Sequence, residues 1–434
     1  MTRIRIANGR VLDPANRLDD VQDLYIVAGA IVGIGEAPGN FICEREIDAK
    51  GKIVCPGLVD LSARLREPGL EHKATIHSEV RAAVRAGITT LCTPPDTDPI
   101  VDTPAVAELI HQRAAQAGSA RVEVLGAMTK GLAGQQLAEM GILDEAGCVG
   151  VSNGTRAIVN TQVMRRALEY AATFGLTAFL HPEDPWLASQ GIVHEGIVST
   201  RLGLPGLPET AETILVARDL LLVEETGARV HFCRLSTARA VNMVREAQER
   251  GLPVTADVTA HHLHLTEIDT ADFNSQCHVR PPLRTERDRE GLRHGVRAGS
   301  IAAICSDHQP HERDARLGPF AETAPGISAL ETLLPLTLRL VDEGVMGLTS
   351  ALARLTVGPA KVLGLDRGTL GLGAKADVCV FDPQARWTLS EAQLISRGRN
   401  TPFEGWELRG LVTETLVGGE VVYSSSAWAD RPRH

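Results

Sequence analysis

The chain has 434 residues, of which 44% are hydrophobic and 23% are charged, and these proportions exclude a disordered or fibrous protein. The 44 Lys and Arg against 54 Asp and Glu give a formal net charge of −10, so neither nucleic acid nor a membrane surface is expected as a partner. No apolar run reaches the roughly 18 residues of a membrane span. The length exceeds what one hydrophobic core usually serves and predicts more than one domain.

The first strands are predicted close to the amino terminus, where polar and apolar residues alternate instead of forming the apolar core of a signal peptide. The eight cysteines are scattered along the chain and form no C-x-x-C pair. Such cysteines are typical of small buried hydrophobic residues in a reducing compartment, and not of a disulfide framework. We therefore expect a soluble, cytoplasmic protein.

Both ends of the chain read as short strands separated by glycine turns, a pattern typical of β-hairpins. The predicted strands and turns are 4–6 before Asn8-Gly9, 23–27 and 30–34 around Ala28-Gly29, 376–382, and 412–423 around Gly418-Gly419. Two β-rich ends that flank a different middle predict one small β-sandwich domain built from residues 1–54 and 366–434.

The middle of the chain, residues 55–365, alternates apolar strand-like runs with amphipathic helical patterns. The predicted strands are 53–61, 88–93, 122–127, 148–151, 176–181, 229–233, 253–258 and 301–305, and helices are predicted at 78–86, 105–117, 164–173 and 238–250. Eight continuous apolar strands separated by helices predict an α/β fold, a (β/α)8 TIM-type barrel. A doubly wound open sheet is the alternative, although no G-x-G-x-x-G follows the first strand.

Polar residues follow most of these strands, at the end of the barrel where active sites lie. The same order of motifs resembles the dihydroorotases of the amidohydrolase superfamily, in particular the longer bacterial type with a flanking β-sandwich. The resemblance covers nearly the whole chain and includes Arg66-Glu67-Pro68-Gly69, Pro281-Pro282-Leu283-Arg284, Gly326-Ile327 and Asn400-Thr401-Pro402-Phe403.

The resemblance implies a cyclic amide hydrolase that uses one or two divalent metals, but most metal-ligand positions are altered here. Ligand positions of the family are occupied by Ser62, Arg64, Ser152 or Asn153, and Arg234, whereas His181 and Asp307 are retained. Two protein ligands are too few for a first-row divalent ion, and a guanidinium opposes the entry of a cation. We therefore expect no metal and no other cofactor, with zinc belonging only to the catalytic alternative.

The substrate-binding positions implied by the resemblance are also altered. Arg66 and His311 match the residues that hold the substrate carboxylate, whereas Asp96 and Arg280 replace asparagines. No catalytic residue is expected, because Asp307, the base of the family, has no metal-bound water to deprotonate. It is predicted instead to form a bidentate ion pair with Arg64 or Arg234, with Arg66 as a third candidate.

Histidines outside these positions are interpreted as structural. His231 lies within an apolar strand and is predicted to be a hydrogen-bonded core residue. The cluster His261-His262-Leu263-His264 resembles a metal site by composition, but the active relatives carry His-His-Leu there outside their main ligand set. The sequence leaves open whether this cluster could support a metal.

Two functions are compatible with these residues. One is a dihydroorotase, or another cyclic amidohydrolase, with a rearranged metal site. The other is a catalytically inactive structural chain, because the sequence resembles the non-catalytic dihydroorotase-like chain that binds the catalytic chain of aspartate carbamoyltransferase in some bacteria. We favour the second and predict a homodimer within a larger hetero-oligomer that serves de novo pyrimidine (UMP) biosynthesis.

Overall fold

The strands and helices of the computed structural model lie within residues 2–426, which are the residues that the structure describes. The strands are β1 Arg3–Asp13, β2 Leu18–Val27, β3 Ala30–Ile34, β4 Arg45–Asp48, β5 Ile53–Pro56, β6 Leu58–Asp60, β7 Ile88–Thr93, β8 Arg121–Ala127, β9 Cys148–Ser152, β10 Ala178–Leu180, β11 Val193–His194, β12 Gly206–Leu207, β13 Val230–Phe232, β14 Val254–Thr259, β15 Ala303–Cys305, β16 Val378–Thr388, β17 Glu407–Val417 and β18 Glu420–Ser424. The α-helices are α1 Ile76–Arg85, α2 Pro104–Ala117, α3 Met140–Glu145, α4 Thr161–Thr173, α5 Pro185–Ala188, α6 Ile197–Leu202, α7 Thr210–Thr226, α8 Ala238–Glu249, α9 Glu286–Ala298, α10 Leu333–Asp342, α11 Leu348–Ala353 and α12 Val357–Val362.

Eight parallel strands form a nearly closed barrel in the middle of the chain. Their order is β6-β7-β8-β9-β10-β13-β14-β15, which follows the order of the sequence. A parallel bridge between Ala63 and His308 joins the segments that follow the first and last of these strands. The predicted TIM-type barrel is therefore confirmed, and the order differs from that of a doubly wound sheet.

The barrel strands are buried on both faces, as their continuous apolar runs predict. Every residue of β7 is buried, and the helices between strands cover the outside of the barrel. The four predicted helices correspond to α1, α2, α4 and α8. Helix α1 begins with a capping box, in which Thr75 Oγ1 accepts a hydrogen bond from the Ser78 amide at 3.2 Å and Ser78 Oγ accepts one from the Thr75 amide at 3.0 Å.

The predicted strand 53–61 is two strands that belong to different sheets. Strand β5 pairs with β1 and β16 in the terminal sheet, and β6 pairs with β7 in the barrel. Gly57 stands between them, where an added Cβ would lie 2.2 Å from Thr89 Oγ1. The prediction of a single strand is wrong here because the chain changes sheet at Pro56-Gly57, a short break between two apolar segments.

Segments from both termini form one separate sheet of eight strands. Its order is β18-β17-β16-β5-β1-β2-β3, and β4 pairs with β1. The turns at Ala28-Gly29 and Gly418-Gly419 are confirmed, whereas Asn8-Gly9 is not a hairpin turn: β1 continues through it with a shift in register. The predicted bounds 1–54 and 366–434 include Met1 and residues 427–434, which lie outside the described residues. Between residues 2 and 426, none of the helices is long and apolar enough to cross a membrane.

Candidate functional site

The carboxyl ends of the barrel strands bring a carboxylate and two guanidinium groups together. Asp307 follows β15 and is only 3% exposed. Its Oδ1 accepts hydrogen bonds from Ser62 Oγ at 3.1 Å and Arg64 Nη1 at 3.2 Å, and lies 3.5 Å from Arg234 Nε. Gln309 Nε2 donates to the other oxygen at 2.9 Å. Polar donors thus surround this carboxylate, which in the resembled family would face a metal.

The charges in this cluster stabilise one another. Burial acts to raise the pKa of Asp307, but Arg234 and Arg64 outweigh burial and hold the pKa well below its ordinary value. Burial acts to lower the pKa of Arg234, but Asp307 together with Cys233, Asp257 and Cys305 outweighs burial, and the pKa lies above its ordinary value. Asp307 is therefore an ionised carboxylate between two cations at neutral pH.

Arg64 bridges two carboxylates, so the predicted bidentate pair with Asp307 is wrong. Only Nη1 of Arg64 donates to Asp307. Its Nε and Nη2 lie 3.0 and 2.9 Å from Asp96 Oδ2, because the loop after β7 places Asp96 on the other side of the guanidinium. Arg66, the third candidate partner, donates its Nε proton to a backbone carbonyl instead.

Three residues of the site adopt the left-handed backbone conformation, which is rare for residues other than glycine. The φ angles are +64° at Arg66, +55° at Arg234 and +44° at Asp307. At Arg234 the backbone N–H donates to Asp257 Oδ1, which fixes the turn that follows β13. Each such conformation costs about 1–3 kcal/mol and persists because the surrounding structure holds it. Sequence patterns carry no signal for this geometry, since none of these residues is a glycine.

The altered ligand positions at the end of β9, Ser152 and Asn153, hold loops in place. Ser152 Oγ donates to the carbonyl of Phe179 at 2.8 Å. Asn153 Oδ1 accepts a hydrogen bond from Thr129 Oγ1 at 2.6 Å, and its Nδ2 donates to the carbonyl of Arg156 at 2.7 Å. Both side chains therefore have structural partners in neighbouring loops.

His181, the retained histidine, lies beside an ion pair that the sequence analysis missed. Both ring nitrogens lack a hydrogen-bond partner among residues 2–426, and Nε2 lies 3.7 Å from Glu183 Oε2. Arg280 Nε donates to Glu183 Oε1 at 2.8 Å. Burial acts to raise the pKa of Glu183, but His181 and Arg280 outweigh it and lower the pKa to about 2. The sequence signal for this ion pair is Glu183 itself, an acidic residue two positions after His181.

The lowered pKa of Glu183 predicts a loss of stability in acid. A carboxyl group whose pKa is lower in the folded than in the unfolded state stabilises the fold above its ordinary pKa, and this stabilisation is lost as the pH falls. The free energy of unfolding is therefore expected to decrease between pH 4.5 and pH 2, and to decrease less steeply in Glu183→Gln. Urea unfolding at several pH values measures the free energy of unfolding of wild type and of Glu183→Gln, and exposed Glu36→Gln is the control. If this free energy fell equally steeply with pH in Glu183→Gln and in wild type, Glu183 would not be the group whose lowered pKa stabilises the fold.

His311 is a neutral ring between two cations. Lys73 Nζ donates to Nδ1 at 3.1 Å, His311 Nε2 lies 3.0 Å from the Pro325 carbonyl, and Arg66 Nη2 is 3.1 Å from Nε2. Burial, Arg66 and Lys73 lower the pKa of His311 to about 3. The four residues at predicted substrate-binding positions thus take part in three separate side-chain contacts. These contacts are Arg66 with His311, Asp96 with Arg64, and Arg280 with Glu183.

The three histidines after β14 do not point toward a common centre. His262 Nδ1 forms a hydrogen bond with Thr259 Oγ1 at 2.7 Å, and His264 Nε2 donates one to the carbonyl of Leu336 at 2.8 Å. Of these three histidines, only His261 has two ring nitrogens without a partner in the described part of the chain, and burial keeps its pKa well below the ordinary value. Three ligands for one ion are not available in this cluster.

The metal ions of the resembled family do not fit this site. Two guanidinium groups, those of Arg64 and Arg234, contact or closely approach the Asp307 oxygen that would face an ion. Arginine does not deprotonate in proteins and cannot act as a ligand. The charge that a metal would supply is therefore already present as two cationic side chains.

Comparisons with known proteins agree with the motifs and the fold. A family described as Dihydro-orotase-like matches residues 51–240, and one described as Amidohydrolase family matches residues 314–423. The L-hydantoinase (dihydropyrimidinase) of Arthrobacter aurescens shares the fold, with a TM-score of 0.88 at 23% identity over 98% of this chain and 96% of that chain.

Curated relatives match over nearly their full length. Proteins named dihydroorotase-like protein from Pseudomonas putida and Pseudomonas aeruginosa are 51% and 50% identical, each over 97% of this chain and 99% of the relative. A protein named dihydroorotase from Anaeromyxobacter dehalogenans is 46% identical over 98% of this chain and 99% of its own length. The chain therefore belongs to the dihydroorotase-like family of the amidohydrolase superfamily.

Proposed function

We propose that this chain is a catalytically inactive dihydroorotase-like protein. Its role is that of a non-catalytic structural subunit, which assembles and stabilises aspartate carbamoyltransferase in de novo pyrimidine biosynthesis. The observation that carries the proposal is the ion cluster at the barrel mouth, where Arg64 and Arg234 occupy ligand positions and hold Asp307.

The ion cluster at the barrel mouth cannot supply the chemistry of amide hydrolysis. Amide hydrolysis in this family needs a Lewis acid on the carbonyl and an activated water, and divalent metals provide both. Guanidinium groups provide neither a coordinated hydroxide nor an open coordination position. Asp307 is ionised, but Ser62, Arg64 and Gln309 already donate to its oxygens, so it is poorly placed to accept a proton from substrate water.

The features that the chain retains favour a structural role. The barrel and the terminal sheet are complete although four of the six metal-ligand positions are altered, which suggests that the surface of the fold is used. The segment after β10 exposes two large apolar side chains, with Trp186 at 80% and Ile197 at 85% exposure. Exposed aromatic and aliphatic residues of this size are typical of protein–protein interfaces. The proposed assembly pairs two copies of this chain within a larger hetero-oligomer with the carbamoyltransferase.

Deletion of the chain is expected to lower aspartate carbamoyltransferase activity and stability and to leave dihydroorotase activity unchanged. A subunit that binds only the folded, assembled enzyme stabilises it by mass action. Both activities and the size of the carbamoyltransferase are measured in extracts of the deletion strain and of the same strain complemented with the wild-type chain. Normal carbamoyltransferase activity at normal assembly size in the deletion strain would contradict the proposal.

A metal-dependent dihydroorotase with a rearranged site is the second candidate. It is favoured by the relative from Anaeromyxobacter dehalogenans that is named dihydroorotase, and by His181, whose ring nitrogens have no hydrogen-bond partner among the described residues. Measurement of dihydroorotate turnover separates the two candidates.

A further inference from the structure

Three different metal-binding side chains converge inside the barrel, next to the mouth residue Arg234. His231 lies on β13, Cys233 follows it on the same side of the chain, and Asp257 lies on the neighbouring strand β14. Their ring nitrogen, sulfur and carboxylate oxygen atoms all lie within 4.8 Å of one another. We propose that these three residues bind one thiophilic divalent cation, of which Zn²⁺ is the natural example.

Two of the three ligands are hydrogen-bonded to each other, and further hydrogen bonds hold each of them in place. His231 Nδ1 lies 2.8 Å from Thr255 Oγ1, and its Nε2 forms a hydrogen bond with Asp257 Oδ2 at 3.1 Å, so a bound ion would take the place of the proton between these two atoms. The other oxygen of Asp257 accepts the backbone N–H of Arg234. Metal-binding histidines and carboxylates in proteins are held by outer hydrogen bonds in this way, which fix the tautomer and the direction of the free atom.

The charges of the three ligands suit a divalent ion in a buried place. His231 is fully buried, and Asp257 is 1% exposed. A neutral imidazole, a thiolate and a carboxylate around a 2+ ion carry no net charge, so the cost of burying the ion is small compared with that of an unpaired charge. When the ion binds, the bond from sulfur to hydrogen in Cys233 breaks and the proton leaves to solvent. The imidazole proton moves to Nδ1, where Thr255 Oγ1 accepts it.

The surroundings select a soft cation. Cys92 and Cys305 belong to the same apolar cluster as Cys233, in the interior of the barrel. Sulfur and imidazole ligands favour Zn²⁺ and Co²⁺ over Mg²⁺ and Ca²⁺, which prefer oxygen ligands and retain water. The sequence pattern predicts hydrophobic cysteines and no metal, because His231 and Cys233 gain their third ligand only from the neighbouring strand β14.

The test uses Co²⁺, which reports sulfur ligation by its absorption. The full chain is purified from cells grown in minimal medium with added cobalt, so that the ion is present while the barrel closes. The expected result is one bound cobalt per chain, with a near-ultraviolet charge-transfer band from sulfur to cobalt. Cys233→Ser is expected to lose the band, and His231→Gln to lose the bound ion.

Matched variants separate this site from others. Cys148→Ser removes a thiol from the outer core, and His181→Gln removes the mouth histidine, so both are expected to keep the ion and the band. Absence of bound cobalt in wild type, persistence of the band in Cys233→Ser, or its loss in His181→Gln would overturn the proposal. Circular dichroism shows whether each variant folds. If Cys233→Ser does not fold, Cys233→Ala takes its place, and the wild-type result still decides whether the site exists.

Discussion

Replacement of Arg234 by methionine is expected to lower the free energy of unfolding by about 3–5 kcal/mol, because it leaves a buried carboxylate without half of its positive partners. Asp307 is 3% exposed and cannot regain solvation without opening the barrel mouth. Arg64 cannot fully compensate, since it is shared with Asp96. Methionine keeps most of the volume of the arginine side chain, so the loss of stability reflects the missing charge more than missing packing contacts. Denaturant unfolding of both proteins at neutral pH measures it.

The double variant Arg234→Met/Asp307→Asn provides the decisive control. Removing the carboxylate together with its partner is expected to restore part of the stability, because no unpaired charge remains. Arg245→Met, which removes an exposed ion pair with Glu249, is expected to change stability by less than about 1 kcal/mol. Equal stability of Arg234→Met and wild type, or simple additivity in the double variant, would show that the pair does not stabilise the barrel.

The effect of Arg234→Met is also expected to depend on pH. The pKa of Asp307 in the folded wild type lies well below its ordinary value, so its ionised form stabilises the fold above that value. As the pH falls toward the folded-state pKa, this stabilisation is lost. The difference in stability between wild type and variant should therefore narrow in acid and be largest at neutral pH. If the difference in stability between wild type and Arg234→Met widened as the pH falls, the result would contradict a stabilising role of ionised Asp307.

Dihydroorotate turnover by the purified chain is expected to be undetectable, with or without added zinc. Enzymes of ordinary efficiency accelerate their reactions by about 10⁶-fold or more, and nearly all of that acceleration depends here on metal chemistry that the mouth residues do not support. The control is the protein named dihydroorotase from Anaeromyxobacter dehalogenans, prepared and assayed in the same way.

The opposite result would favour the catalytic alternative. Zinc-dependent turnover that scales with the amount of chain and disappears in Asp307→Asn would show a working, rearranged metal site. Activity that is unchanged in Asp307→Asn would instead indicate contamination by the enzyme of the host, because Asp307 is the retained base of the family.

The barrel strands were predictable because they are short, continuous apolar runs separated by helical patterns, and these features depend on local sequence. The division at Gly57 has a signal in the dipeptide Pro56-Gly57, which often ends a strand, but the apolar residues on both sides of it favoured one continuous strand. Asn8-Gly9 is a strong hairpin signal, yet β1 continues through it. The reason is that β1 pairs with β2 both before and after the register shift at this point, and this pairing outweighs the local preference for a turn.

The residues of the mouth were predictable as a group, whereas their partners were not. Parallel barrel strands bring their carboxyl ends together, so Ser62, Arg64, Arg234 and Asp307 could be placed side by side from spacing and resemblance. The contacts of Arg64 with Asp96 and of Arg280 with Glu183 depend on loop conformations that no periodic pattern describes.

The central claim is that this chain serves as a structural partner of aspartate carbamoyltransferase, and the most direct test is a mass measurement on co-expressed chains. The chain and the carbamoyltransferase catalytic chain of the same organism are produced together, purified through a tag on only one of them, and examined by native mass spectrometry. Each chain produced alone is the control. We expect one species that contains both chains and is heavier than the free carbamoyltransferase trimer. A free trimer beside free copies of this chain would contradict the account.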